Sequence, residues 1–187
     1  KKIIRSGADK ISINKSAIKN NTSIRKISDY FGKQCVVDSI DCKLTKNGYR
    51  VYDYSNNEVL NSNPVEWAKK MEENGAGEIF LNSVDRDGMR SGYDIDLIES
   101  VVNSVKIPVI CCGGAGSFAH FLAPFSKTEV SAVAAANFFH HTEHSTILTK
   151  AHMARNNINV RTSKEANYIT KSFDNDGRLI VENFNNP

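Results

Sequence analysis

GAGEIFLNSVDRDGMRSGYD, residues 75–94, carries a strand, a polar turn and a helix start in one stretch. EIFLNSV at 78–84 is a short apolar run rich in strand-forming residues. It follows Asn74-Gly75, a pair that ends helices, and runs into the polar DRDG before Asp94 opens a segment with helical spacing over 94–105. A strand whose C-terminal end is polar and leads directly into a helix is one βα unit, and its polar end is where parallel α/β folds bind ligands.

The same unit recurs outward in both directions. DKISIN at 9–14, CVVDSID at 35–41, PVICCGG at 108–114 and SAVAAANF at 131–138 read as further strands. Amphipathic segments over 18–31, 64–74 and 143–156 read as helices between and after them. Several runs are apolar on both faces, as parallel strands covered by helices must be, and Gly32 and Pro108 punctuate the returns. Strict alternation of five strands with helices predicts a parallel sheet. One interruption, KLTKNGYRVYDYSNNEVL at 43–60, has Asn47-Gly48 between alternating segments and predicts a β-hairpin reaching over the ligand face.

The 187 residues suffice for one buried domain but fall short of the about 250 typical of a complete (β/α)8 barrel. The 24 Lys and Arg against 21 Asp and Glu leave a net charge of +3 with no basic stripe, which argues against nucleic acid. No apolar stretch reaches the roughly 20 residues of a membrane span. Cys35, Cys42, Cys111 and Cys112 fit neither a metal-ligand spacing nor a disulfide framework and read as reduced thiols of a cytoplasmic protein. The chain starts at Lys1 rather than Met, and a fragment is expected.

Polar residues gather at the C-terminal strand ends: Asn14, Asp41, Asp85 with Asp87-Gly88, and Gly113-Gly114. Each alone could be a helix cap or a tight turn. Their convergence on one edge favours a ligand face.

GADKISIN at 7–14, SID at 39–41, residues 75–94, GGAG at 113–116 and VAAANFFH at 133–140 together resemble the cyclase subunit of imidazole glycerol phosphate synthase, from its fourth strand to its eighth. The resemblance covers residues 1–161 and implies strands 4 to 8 of a (β/α)8 TIM barrel, about 80 residues at the N-terminal side lying outside this chain at roughly 25 to 30 per βα unit. It implies a lyase that forms imidazole glycerol phosphate in histidine biosynthesis from a substrate with a phosphate at each end, using ammonia from a glutaminase in a heterodimer. No cofactor, metal, nucleic acid or membrane is expected.

The resemblance assigns roles residue by residue. Asp41 matches one of two catalytic aspartates, whose partner belongs to a strand this chain lacks; two opposed carboxylates can serve as general acid and base. Gly114, with Ala135-Ala136 after the next strand, matches one phosphate site, lined also by Asp87 and Gly88; Asn14 matches the opposite site, and Asn82 matches a position that touches substrate. Glycines let backbone amides approach an anion. Lys10 and Glu78 match a charged gate at the N-terminal mouth through which ammonia passes, and Asp9 matches a docking contact for the glutaminase. An ordinary structural ion pair is the alternative for Lys10 and Glu78.

Four positions depart from the histidine-pathway pattern. Asn82 and Cys112 stand where small hydroxyl residues are usual, Lys15 replaces a Thr and Ala136 a Ser. These, with FFHHTEHST, look like cyclase paralogues of surface-polysaccharide pathways, where the barrel would conduct ammonia for amidino-sugar formation. His140, His141 and His144 lack a carboxylate to complete a metal set and read as loop or helix-surface residues. Residues 162–187 form an extension in which Asp176-Gly177 could turn a hairpin.

Overall fold

Alternation along residues 78–83 sets the geometry of the whole sheet. Ile79, Leu81 and Ser83 are buried, whereas Glu78, Phe80 and Asn82 are only half-buried, so one face of the strand packs on helices and the other faces the interior of a curved sheet. The computed structural model describes residues 2–20, 22–141, 145–163, 168–172, 174 and 180. In chain order its elements are α1 (Lys2–Arg5), β1 (Ile11–Ile13), α2 (Lys15–Lys19), α3 (Thr22–Phe31), a 3-10 turn at Lys33–Cys35, β2 (Val36–Thr45), β3 (Gly48–Asp53) and β4 (Glu58–Val59). Then come α4 (Pro64–Glu73), β5 (Glu78–Ser83), α5 (Ile95–Val102), β6 (Val109–Cys112), a 3-10 turn at Phe118–Phe121, α6 (Ala123–Lys127), β7 (Ala132–Val133), α7 (Asn137–His140) and α8 (Ser145–Arg155).

β1, β2, β5, β6 and β7 are neighbours in that order and all parallel, which is the arrangement of five consecutive βα units of a (β/α)8 barrel. The hairpin expected over 43–60 forms, and its first arm is the continuation of β2 itself. β2 runs on to Thr45 and pairs antiparallel with β3 beyond the point where β1 ends, on the same edge of β2. The turn at Lys46-Asn47 closes with Gly48 at φ 87°, a conformation that favours glycine.

Three expected boundaries shift, each for a local reason. The helix expected over 18–31 is two: Asn20 is extended, and its side chain accepts from the backbone and hydroxyl of Thr22, capping α3. The strand expected over 131–138 narrows to Ala132–Val133 in β7, because Asn137 starts α7 and Phe138 turns into a second apolar cluster with Phe121 and Met153. β1 covers only Ile11–Ile13, because Asn14 precedes the first turn of α2. Elsewhere capping follows the sequence: Asn63 accepts from the Val65 amide, with Pro64 in the first turn of α4.

The main core lies between the sheet's outer face and the helices, with Ile40, Ile79, Leu81, Val101, Val109 and Cys111 at its centre. None of the helices is long and apolar enough to cross a membrane among the described residues. His144 and the Asp176-Gly177 turn lie outside the described residues.

Candidate functional site

The strand register puts Asp41 opposite Asn82 and Asn82 opposite Cys112, so three side chains from β2, β5 and β6 form one row on the interior face. They lie where the parallel part of the sheet ends, β2 pairing with β5 as far as Cys42 before it runs on into the hairpin. Asn14 reaches the same place from the end of β1. Its Nδ2 donates to the Ser39 carbonyl at 2.9 Å and to Asp41 Oδ2 at 3.1 Å. Asn82 Nδ2 donates to the other oxygen, Asp41 Oδ1, at 3.0 Å.

Asp41 is thus held by one amide on each side, which fixes its rotamer and aims its remaining lone pairs across the interior face. Asn82 Oδ1 is buried and has no partner among the described residues. A buried acceptor left unpaired costs about 1–3 kcal/mol, and a ligand N–H or O–H in this row would remove that cost. Beside it, burial first, and then the charges of Asp87 and Asp41, push the Cys112 thiol upward, so it stands there as a neutral group. Burial likewise pushes Cys111 up to about 12. All four cysteines are free.

The glycines of the expected phosphate side have a structural reason of their own. Gly114 has φ 102°, and a Cβ there would lie 2.1 Å from the Gly92 carbonyl oxygen. Gly113 has φ 94°, and its Cβ would meet the Ser83 carbonyl at 2.7 Å. Close backbone approach within the protein therefore accounts for both. Gly88 has φ 75° and open space around it, its nearest neighbour being the Asn137 amide. Asp87, Gly88 and Ala136 are exposed, Ala135 is half-buried, and they border the end of β7.

At the opposite end of the sheet, Lys10 Nζ and Glu78 Oε1 form an ion pair. Lys10 is 46% exposed and Glu78 18%. Pairs this exposed contribute about 0–1 kcal/mol, so stability alone gives little reason for it. Asp9 is exposed nearby in sequence, and Lys15 is exposed on α2. His140 and His141 are exposed, and no group of three metal-type side chains forms among the described residues.

Sequence reading missed the second layer. Asp94 was expected only to start a helix. It caps Leu97, and it also accepts from the Tyr49 hydroxyl at 2.7 Å and the Ser83 hydroxyl at 3.0 Å. Asp85 accepts from the Leu44 amide at 2.7 Å and so ties the β2–β3 hairpin to the DRDG turn as well. Asp38 is fully buried on the helix side of β2, where Oδ2 accepts from Trp67 Nε1 and Oδ1 has no partner among the described residues. The only sequence signal for Asp38 was a charge inside an apolar run.

Comparison with known proteins gives these positions relatives. The family described as "Histidine biosynthesis protein" matches residues 1–145. A Vibrio vulnificus (strain YJ016) protein, provisionally named imidazole glycerol phosphate synthase subunit hisF2, is 43% identical over 176 residues, 94% of this chain and 65% of its own length. The imidazole glycerol phosphate synthase subunit HisF of Hydrogenobaculum sp. (strain Y04AAS1) is 45% identical over 162 residues, 86% of this chain and 64% of its own. A Pseudomonas aeruginosa protein, again provisionally named hisF2, is 46% identical over 149 residues, 79% of this chain and 59% of its own. The chain therefore spans less than two thirds of the length of these relatives.

Proposed function

The chain belongs to the histidine biosynthesis protein family, and from that premise we propose that it is the C-terminal part of an imidazole glycerol phosphate synthase cyclase subunit. In this reading the whole protein takes ammonia from a glutaminase partner and closes the imidazole ring of a bisphosphorylated substrate. It releases imidazole glycerol phosphate and an aminoimidazole carboxamide ribotide. A cytoplasmic location goes with this reading, supported by four free thiols.

One observation carries it: Asp41 stands on the interior face where the parallel pairing of β2 and β5 ends, braced by Asn14 and Asn82, where a general acid or base must stand to reach a ligand. Gly88, Gly114, Ala135 and Ala136 would take one phosphate, with Asp87 at the edge, and Asn14 the other, its Nδ2 exchanging the bond to Ser39 or Asp41 for the phosphate. Calorimetric titration of the whole protein with imidazole glycerol phosphate tests this. Saturable binding is expected, and a folded protein that fails to bind it contradicts the assignment.

The Lys10–Glu78 pair is the proposed ammonia gate, with Asp9 at the glutaminase contact. Glu78→Gln is expected to depress glutamine-dependent turnover while leaving ammonium-dependent turnover little changed. Equal effects on the two, measured side by side, would make the pair merely structural.

A second reading has its own support. Cys112 stands in the row where a ligand-facing hydroxyl would be usual, and Lys15 and Ala136 also depart from the histidine-pathway pattern. In this reading the barrel conducts ammonia to a sugar amidotransferase, and failure to bind the imidazole product favours it.

A further inference from the structure

Three consecutive residues, Gly92, Tyr93 and Asp94, each bond to a different part of the C-terminal face. The Gly92 amide donates to the Gly114 carbonyl at 2.8 Å, at the end of β6. The Tyr93 hydroxyl donates to the Ala134 carbonyl at 3.0 Å, one residue past β7 and next to Ala135-Ala136. Asp94 takes the Ser83 hydroxyl, adjacent to Asn82 on β5, and the Tyr49 hydroxyl of the hairpin. Tyr93 is 4% exposed and Asp94 6%, so these bonds are shielded from competing water.

We propose that residues 92–94 are a clamp of positioning residues that holds the phosphate side of the site, on β6 and β7, in fixed relation to the carboxylate side, on β2 and β5. The inference rests on the proposed cyclase reading for its kinetic consequences. The phosphate side hangs from Gly92 and Tyr93, and the carboxylate side from Asp94 through Ser83 and Tyr49. The tripeptide between them is too short to let one side move alone.

Both phenols stay protonated donors. Burial raises Tyr93 well above the usual tyrosine range, and burial followed by the bond to Asp94 does the same for Tyr49. The Phe121 ring packs edge-on to Tyr93 at 6.0 Å between centroids, so Tyr93→Phe keeps the packing and removes one hydrogen bond. Asp94→Asn is a poorer probe because Asp94 also caps α5.

The two arms predict different kinetics. Phosphate contacts act equally on ground state and transition state, so loosening their support raises KM; loosening the support of Asp41 acts on the chemical step and lowers kcat. Tyr93→Phe in the whole protein is expected to raise KM for the bisphosphate about three- to tenfold, the worth of one hydrogen bond, with kcat little changed. Tyr49→Phe, with Ser83→Ala as a second variant on the same arm, is expected to lower kcat by a similar factor with little change in KM.

Amide exchange separates a failure of the clamp from a failure of the cyclase reading. Even if wild type turns over no bisphosphate, Tyr93→Phe must speed exchange at residues 134–136 and spare the hairpin, and Tyr49→Phe must do the reverse. Uniform changes across both regions, or none, would overturn the clamp. Variants that lose only thermal stability, with both kinetic constants and both exchange patterns intact, would overturn it as well.

Discussion

Asp41→Asn is expected to lower ammonium-dependent turnover of the whole protein by about 10²–10⁴-fold if Asp41 is the proposed acid or base, the usual contribution of such a group. The substitution is close to isosteric, and its surroundings can absorb it. Asn14 and Asn82 both donate to Asp41 through Nδ2, and an Asn at 41 would offer one of them an N–H instead of an oxygen. Asn82 can answer by turning its amide over, because its Oδ1 has no partner to lose among the described residues. Stability and product binding should therefore survive while turnover does not. Turnover within a few-fold of wild type would remove Asp41 from the chemistry and leave it a structural hub.

Asp38 gives the largest expected effect on stability. Burial raises its carboxyl from 3.8 to about 7, only partly offset by the Trp67 hydrogen bond. An acid whose folded pKa exceeds its unfolded value holds more protons when folded, so stability falls as pH rises from about 4 to about 7 and is flat above that. At about 1.4 kcal/mol per pKa unit, the loss across that window is on the order of 4 kcal/mol. Asp38→Asn stays neutral at every pH and keeps an oxygen for Trp67 Nε1. Denaturant unfolding at pH 5 and pH 8 should show wild type losing stability between the two and Asp38→Asn losing much less. Identical pH slopes would mean that the buried carboxyl is not the origin of the dependence.

The fold was legible because its signals are local. EIFLNSV and PVICCGG are apolar runs bounded by Gly or Pro, CVVDSID follows Gly32 by three residues, and β5, β2 and β6 begin within a residue of where those runs place them. SAVAAANF misled because a continuous apolar run carries no period, and only packing of Phe138 against Phe121 shows that the chain has left the sheet. Asn20, which splits the first long helix, acts through a side-chain cap that competes with helical spacing.

The candidate site was legible by strand end but not by contact. Asn14, Asp41 and Asn82 could each be placed at a C-terminal end, yet their mutual hydrogen bonds depend on the lateral register of three strands. Lys10 and Glu78 were brought together at the N-terminal mouth by the family resemblance, and the structure pairs them there. Tyr49 and Asp94 are 45 positions apart, and nothing in either segment announces that the hairpin folds back to bond the cap of α5. Such ties appear only once the sheet has assembled.

The most direct test of the central claim is a turnover assay of the whole protein supplied with the bisphosphate substrate and an ammonium salt. Formation of imidazole glycerol phosphate, first order in ammonia and without glutaminase, is the predicted result. A folded barrel that leaves the bisphosphate unchanged at saturating ammonia would contradict the account.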